Sequence, residues 1–201
     1  NRMHLEHRDH RADAKRPAPP KAVSGGLILA SASPRRAELL DRMGLSFEIL
    51  PSGVDESVLP GETPEAHCRR LAVEKAEAVA QQRPGAWVLG ADTIVVAGRR
   101  ILGKPRSAPE ATAMLTRLSG RSHRVLTGFA LLRRDRGFSY AEVVQSSVRF
   151  REIAADEVAW YIRSGEPFDK AGAYAVQGRG ASFIREIRGS YTGVVGLPLA
   201  E

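Results

Sequence analysis

After residue 24 the sequence alternates between short apolar runs and segments whose apolar residues recur at helical spacing. This alternation is typical of an α/β domain. Five runs are predicted to be strands: "LILA" (27–30), "FEIL" (47–50), "WVLGADTIVV" (87–96), "HRVLTGFALLRR" (123–134) and "AEVVQSSVRF" (141–150). The last two are separated by a short link containing "DRG", which favours an antiparallel pair. The pattern therefore predicts a mixed sheet with helices packed on it.

The segments between these runs carry helix start and stop signals. Ser33 fits an N-cap, Pro34 the first helical position and Gly44 the C-terminal stop of the first helix. The inward face of that helix is predicted to comprise Leu39, Leu40 and Met43. Three more helices are predicted: from Thr63-Pro64 to about Gln81, from an S-x-x-E capping box at Ser107–Glu110 to near Leu118, and from about Asp156 to Ser164.

Length and composition indicate one folded domain with a short extension. The chain has 201 residues, of which 43% are hydrophobic, enough for one substantial core. Residues 1–24 are predicted to be a disordered basic extension because they are charged and proline-rich; His4, His7 and His10 are interpreted as solvated rather than metal-binding. Residues 25–201 are predicted to form the domain. With no apolar stretch of roughly 20 residues and only one cysteine, Cys68, we expect no membrane span and a cytoplasmic location.

The net charge of +7 is compatible with nucleic-acid binding or with phosphorylated small molecules. Residues 1–22 contain six basic and three acidic residues, so the remainder of the chain carries only +4. The extension has no aromatic residue on which a base would stack. We therefore expect no nucleic-acid partner.

The turn "SASPRR" (31–36) places two arginines at the start of a predicted helix. A helix N-terminus presents free N–H groups and partial positive charge, so cations are disfavoured there unless an anion is bound. Arg35 and Arg36 therefore indicate an anion site. Two solvated surface arginines are the alternative, and the turn alone does not decide between them.

Two charged residues fall in apolar surroundings. Asp92 interrupts the run 87–96, and a carboxylate there requires a partner. Because apolar residues resume at Thr93, we predict that Asp92 lies at a bulge or strand end rather than in an open turn. Lys75 falls within the inward stripe of its helix, which comprises Cys68, Leu71, Ala72, Ala76 and Val79. It is predicted to point inward, although lysines often extend along a helix edge to water.

Two weaker signals complete the predicted site. Asp55 and Glu56 follow a strand and offer oxygen ligands to a hard cation, although loop acids are usually only solvated. Lys104 lies in a "GKP" turn. Basic residues and acids near strand ends predict a cleft for a polyanion with a divalent metal, and Mg²⁺ commonly bridges carboxylates and phosphates.

The order of several motifs resembles that of the Maf family of nucleoside triphosphate pyrophosphatases, also called septum formation inhibitors. The motifs are "LASASPRRAELLDRMG", "VDES", "LAVEKA", "LGADTIVV", "GKP", "LSGRSHRVLTG" and "GEPFDKAGAYAVQGRGASFIREIRGSYTGVVGLPL". Together they cover about residues 27–199. The resemblance implies a two-lobed α/β fold with a deep cleft, similar to the inosine triphosphatase architecture, and often a homodimer.

The resemblance also implies an activity and its residues. The reaction is hydrolysis of a nucleoside triphosphate to the monophosphate and pyrophosphate with a divalent metal, Mg²⁺ or Mn²⁺. By position, the phosphate-binding signature falls on Ser31, Arg35 and Arg36, the acidic catalytic and metal-associated positions on Glu56 and Asp92, the phosphate-contacting lysines on Lys75 and Lys104, and a late glutamine on Gln177. The form "DKAGAYAVQG" looks like the branch that acts on dTTP and UTP, including modified pyrimidine nucleotides.

Two alternatives remain at this point. One is a non-catalytic regulator of cell division that binds nucleotides or proteins, as the older family name suggests. The other is a pyrophosphatase of the sister branch, which prefers 7-methyl-GTP. The sequence also leaves open whether Asp92 activates water or binds the metal ion.

Overall fold

The computed structural model of the protein describes residues 25–201. The prediction of an extension over residues 1–24, with its three histidines, lies outside the described residues. The strands are β1 (Leu27–Leu29), β2 (Glu48–Ile49), β3 (Trp87–Ala97), β4 (Arg100–Leu102), β5 (Ser122–Arg133), β6 (Phe138–Phe150) and β7 (Ile184–Arg188). The helices are α1 (Pro34–Arg42), α2 (Pro64–Ala80), α3 (Ala108–Leu118), α4 (Ala155–Arg163) and α5 (Tyr191–Val195).

These strands form one mixed sheet in the order β2-β1-β3-β5-β6-β7, with β4 beside β3. Strand β1 is parallel to β2 and β3, whereas all other pairs are antiparallel. Helix α2 covers one face of the sheet, and α1, α3, α4 and α5 cover the other. The predicted mixed sheet with flanking helices is confirmed.

Helix α2 packs unusually close to the sheet because two glycines face it. A Cβ on Gly90 of β3 would lie 2.4 Å from the Ala72 carbonyl oxygen, and one on Gly128 of β5 would lie 2.6 Å from the Cys68 carbonyl oxygen. Contacts this short are not tolerated, so the close approach depends on glycine at both strand positions. The approach brings Lys75 of α2 against the centre of β3.

Strand β3 changes its neighbour halfway along one edge. Its residues 87–89 pair with β1, and its residues 95–97 pair with β4. The N–H of Ala30 donates to the Leu89 carbonyl oxygen at 2.8 Å, and β1 then turns away into α1. In the described chain, residues 90–94 of β3 therefore have no strand beside them on this edge, and the sheet is open there.

The structure corrects the prediction for Asp92. It lies in the middle of β3 and pairs in regular register with Gly128 of β5, without a bulge. Strand β3 continues through Asp92, whereas the neighbouring strand β1 ends beside Leu89, and this opens the edge without interrupting β3. The inward direction predicted for Lys75 is confirmed, since the residue is buried on α2.

Some local predictions were wrong or incomplete. Met43 is 53% exposed, because α1 ends at Arg42 and the chain turns away there. Ser33 occupies the N-cap of α1, but its side chain accepts no capping hydrogen bond. Ser107 caps α3 by accepting from the N–H of Glu110, whereas the Glu110 carboxylate accepts from Arg106 instead of completing a capping box.

Candidate active site

All eight residues predicted for the site line one cleft at the open edge of β3. The cleft has a volume of about 510 Å³. The eight are Ser31, Arg35, Arg36, Glu56, Lys75, Asp92, Lys104 and Gln177. They come from the β1–α1 turn, the first turn of α1, the loop before α2, α2 itself, β3, the turn after β4 and the segment after α4. The fold thus brings together side chains that are distant in sequence.

Arg36 is a buried cation held by neutral groups. Its guanidinium donates to the Gly196 carbonyl oxygen at 2.8 Å, to Ser31 Oγ at 2.9 Å and to Thr93 Oγ1 at 3.2 Å. No carboxylate of residues 25–201 forms an ion pair with it. Burial lowers the pKa of Arg36 from its ordinary value, although Asp92 opposes this effect. The interpretation of Arg36 as a solvated surface residue is therefore excluded.

Ser31 helps to shape the turn in front of α1. Its Oγ accepts from the N–H of Ser33 at 3.2 Å as well as from Arg36. The hydroxyl therefore ties the guanidinium to the first turn of the helix, whose free N–H groups point toward the same region. Together these groups form a positive surface of the cleft.

Arg35 lies at a more exposed point of the cleft. It is 3.5 Å from Asp169 Oδ2, and the Asp169 side chain is 65% exposed. A long contact to an exposed carboxylate contributes little stability. Arg35 is therefore available to an anionic ligand at small cost.

Lys75 joins the two predicted carboxylates. Its Nζ lies 2.6 Å from Glu56 Oε1 and 2.7 Å from Asp92 Oδ1. Partial burial acts to raise the pKa of Glu56, but the hydrogen bond from Lys75 and the charges of Lys75, Lys104 and Arg36 outweigh it and lower the pKa. The carboxylate of Glu56 is thereby kept ionised.

The loop that carries Glu56 is fixed to α2 by Arg70. The guanidinium of Arg70 donates to both carboxylate oxygens of Glu62, at 2.7 and 2.9 Å, and to the Ser57 carbonyl oxygen at 3.0 Å. Ser57 is the residue that follows Glu56, and Glu62 lies six residues after Glu56 in the same loop. These bonds explain how a loop without regular structure presents Glu56 to Lys75.

The carboxylates fit a hard divalent cation. Asp92 Oδ2 is buried and has no hydrogen-bond partner among the described residues, and Glu56 is partly exposed beside it. Within residues 25–201 no three acidic, histidine or cysteine side chains cluster as a complete protein metal site. A Mg²⁺ or Mn²⁺ ion that takes one or two carboxylates and completes its shell with phosphate oxygens and water suits this donor set.

Lys104 and Gln177 complete the cleft from other segments. Neither side chain has a hydrogen-bond or ion-pair partner among residues 25–201. Lys104 is exposed and Gln177 is partly buried. Both are therefore free to contact a ligand.

Sequence reasoning missed several residues of the cleft. Thr93, Asp169, Lys170 and Tyr174 also line it. Asp169 and Lys170 belong to the quoted "DKAG" motif but broke no local rule that would have marked them. Thr93 belongs to the site because its hydroxyl accepts a hydrogen bond from Arg36. The two residues are 57 positions apart, so no local pattern marks Thr93.

A buried histidine supports Tyr174 from behind the cleft. His123 Nε2 lies 2.7 Å from the Tyr174 hydroxyl, and its Nδ1 is buried without a partner in the described chain. Burial lowers the pKa of His123 from 6.5 to about 4. The ring is therefore neutral in the folded protein at pH values where an unfolded histidine is already protonated.

This difference predicts a specific loss of stability in acid. Between pH 6.5 and about 4 the unfolded state binds a proton at His123 that the folded state does not, so the free energy of unfolding falls as the pH falls. At about 1.4 kcal/mol per pKa unit the loss amounts to about 3 kcal/mol. Urea unfolding at several pH values should show a steeper decline for the wild type than for His123→Gln. Identical pH profiles would contradict the assignment.

The described chain is similar to known proteins over almost its whole length. The family model "Maf-like protein" matches residues 26–201. A dTTP/UTP pyrophosphatase of Syntrophus aciditrophicus (strain SB) is 59% identical over 175 residues, covering 87% of this chain and 85% of that protein. A dTTP/UTP pyrophosphatase of Myxococcus xanthus (strain DK1622) is 53% identical over 175 residues, covering 87% and 88%.

A solved structure shows a more distant likeness. A HAM1 protein from Coxiella burnetii superimposes with a TM-score of 0.41 and 18% identity, covering 62% of this chain and 72% of that one. The family model spans the elements that form the cleft, and both relatives are more than half identical to this chain over most of its length. The chain therefore belongs to the Maf family.

Proposed function

We propose that the protein hydrolyses nucleoside triphosphates, with dTTP and UTP as preferred substrates, to the monophosphate and pyrophosphate. The observation that carries this proposal is the buried guanidinium of Arg36, which has no carboxylate partner in residues 25–201 and lies in the same cleft as Lys75, Lys104 and Asp92. A buried cation held only by neutral groups is well suited to an anionic ligand. The names of the Syntrophus and Myxococcus relatives support the choice of dTTP and UTP.

The basic residues are proposed to bind the triphosphate and to stabilise charge in the transition state. Arg35, Arg36, Lys75 and Lys104 would neutralise the phosphate oxygens, which is the largest contribution a protein makes to phosphoryl transfer. Ser31 and Gln177 would add hydrogen bonds to the substrate. Since Arg36 is already oriented by three bonds, little reorganisation is needed when the anion arrives.

Asp92 is proposed to act on the attacking water, and Glu56 and Asp92 together are proposed to bind the metal ion. Asp92 Oδ2, which is buried and has no hydrogen-bond partner within residues 25–201, would orient the attacking water or accept its proton, while Oδ1 is kept in place by Lys75. Glu56 and Asp92 would hold a Mg²⁺ or Mn²⁺ ion, which when bound supplies Lewis-acid stabilisation of phosphate charge.

A pyrophosphate-release screen tests the proposal. Purified protein should release pyrophosphate from dTTP and UTP with Mg²⁺ or Mn²⁺, and the rate should fall to background when the metal is chelated. Faster release from 7-methyl-GTP would reassign the substrate to the sister branch. No release from any triphosphate, with nucleotide binding retained, would instead favour the non-catalytic regulator.

Other expectations are not needed for this activity. No helix within residues 25–201 combines the length and apolar character of a membrane span. A homodimer, a cytoplasmic location and the lack of a nucleic-acid partner stay predictions.

A further inference from the structure

One wall of the cleft is built from a segment with little regular structure. Between α4 and β7 the chain forms only short 3₁₀ turns, at Glu166–Asp169, Ala171–Ala173 and Arg179–Phe183. This segment nevertheless supplies Lys170, Tyr174 and Gln177 to the cleft. Short 3₁₀ turns contain few backbone hydrogen bonds, so side chains must help to fix the wall.

The carboxylate of Glu166 is the centre of that support. Its Oε1 accepts from the Tyr161 hydroxyl at 2.9 Å and from the Gly180 N–H at 3.1 Å. Its Oε2 accepts from the Arg179 N–H at 3.0 Å. Glu166 itself does not line the cleft. Three donors from two segments therefore converge on one side chain behind the wall.

Tyr161 extends the support to the other side of Gln177. The hydroxyl of Tyr161, which donates to Glu166, also accepts from the Ala175 N–H at 3.3 Å. Ala175 precedes Gln177 by two residues, and Arg179 follows it by two. The main-chain stretch that carries Gln177 is thus held on both sides by hydrogen bonds that lead to Glu166.

Two glycines make room for this arrangement. Gly178 has a φ of +88°, and a Cβ on it would lie 2.8 Å from Glu166 Oε2. A Cβ on Gly180 would lie 2.6 Å from the Ala175 carbonyl oxygen and 2.8 Å from the Tyr161 hydroxyl. Larger residues at either position would push the carboxylate or the phenol out of place. The loop sequence therefore matches the partly buried hydrogen-bond network around Glu166.

The ionised carboxylate is the form that fits these donors. Partial burial acts to raise the pKa of Glu166, but hydrogen bonds from Arg179, Gly180 and Tyr161 outweigh it and lower the pKa. The main-chain carbonyl of Glu166 also accepts from Lys170 Nζ at 3.0 Å. Glu166 therefore contacts Lys170 and also belongs to the hydrogen bonds that hold the main chain on both sides of Gln177.

We propose that Glu166 is a positioning residue, which fixes the main chain on either side of Gln177 so that its amide meets the substrate. The inference rests on the proposed function for the contact between Gln177 and the nucleotide. A displacement of about 1 Å in a group that positions a substrate lowers the rate by about 100-fold. Glu166 acts on the reaction through Gln177 and does not touch the substrate.

The test is Glu166→Gln. The amide has the same size, but its nitrogen is a donor, so at least one of the three donors loses its acceptor. We expect kcat/KM for dTTP to fall by about 10- to 100-fold. In a Gln177→Ala background the same substitution should change kcat/KM by less than about twofold, since the group it positions is gone. Glu186→Gln, which alters a glutamate that pairs with Arg188 on β7, is the matched control and should behave like the wild type.

A second measurement is independent of activity. Hydrogen exchange of the amides in residues 175–180 should be faster in Glu166→Gln than in the wild type or in Glu186→Gln. If Glu166→Gln does not fold, Tyr161→Phe removes one donor and the link to Ala175, and is expected to shift exchange in the same direction.

The outcomes separate this inference from the proposed function. A wild type that releases no pyrophosphate overturns the function, while exchange in residues 175–180 still tests the support by Glu166. An active wild type whose Glu166→Gln variant keeps both kcat/KM and exchange overturns the positioning role. Equal losses in the wild-type and Gln177→Ala backgrounds would also overturn it, because Glu166 would then act on another group.

Discussion

Asp92→Asn is expected to leave the protein folded and able to bind dTTP while lowering its turnover by about 10³-fold or more. The substitution keeps the shape of the side chain and removes its charge. In the structure Asp92 Oδ1 accepts from Lys75 and Oδ2 is buried without a partner in the described chain. The amide can still accept from Lys75 through its oxygen, but it offers neither a proton acceptor nor an anionic metal ligand.

The measurement is single-turnover pyrophosphate release together with nucleotide binding. Asp41→Asn is a matched control, because Asp41 is an exposed aspartate of α1 that does not line the cleft. If Asp92→Asn hydrolyses dTTP at a rate near that of the wild type, the proposed role of Asp92 is wrong. Loss of nucleotide binding rather than of turnover would assign Asp92 to substrate affinity instead.

The main elements of the fold could be predicted from local patterns. The five predicted strands and four predicted helices all occur, because alternating apolar runs, caps and glycine stops act over a few residues. Strands β4 and β7 and helix α5 were not predicted. Strand β4 has three residues, β7 reads "IREIR" with more charged than apolar residues, and α5 has five residues including a glycine. Such elements form because neighbouring parts of the fold support them.

The residues of the site could be predicted from the sequence, whereas their burial and contacts could not. Arg35, Arg36, Lys75 and Asp92 stood out because each broke a local rule of charge placement, and such breaks occur at functional sites. Ser31 and Gln177 were identified only through the resemblance to the family. The burial of Arg36 was not predictable, because it depends on Gly196, which lies 160 residues later in the chain.

The open edge of β3 could not be predicted from local sequence patterns either. It exists because β1 ends beside Leu89 and the last residue of β4, Leu102, lies beside Val95, and no signal in β3 itself marks the gap. A carboxylate in the middle of a strand was therefore interpreted as a bulge or a strand end. The same limit applies to Glu166, whose three donors become adjacent only when the wall of the cleft has folded.

Replacing Lys75 by methionine is expected to have the second large effect, on stability as well as on turnover. The ammonium of Lys75 is the cation that lies against both Glu56 and Asp92. Methionine fills much of the same volume but leaves the buried carboxylate of Asp92 without this hydrogen-bonded counter-charge. Removing one partner of a buried ion pair costs about 3–5 kcal/mol. Turnover should fall by about 10²- to 10³-fold, the usual loss for one group that stabilises transition-state charge.

Divalent metal should partly reverse the loss of stability. In the wild type the ammonium of Lys75 lies against both carboxylates and already offsets one of their two negative charges, so Mn²⁺ or Mg²⁺ added without nucleotide should raise the melting temperature only slightly. In Lys75→Met the carboxylates are free to bind the ion, and ligand binding to the folded state stabilises it. The melting temperature of the variant should therefore rise more with Mn²⁺ than that of the wild type, as measured by calorimetry.

Lys104→Met is the control that separates these effects. Lys104 lines the cleft but forms no ion pair with any carboxylate of residues 25–201, so its loss should lower turnover without lowering stability or increasing the response to Mn²⁺. A Lys75→Met protein as stable as the wild type would show that the ammonium does not neutralise the acids of the cleft. A destabilised variant that Mn²⁺ fails to stabilise would show that Glu56 and Asp92 do not form a cation site.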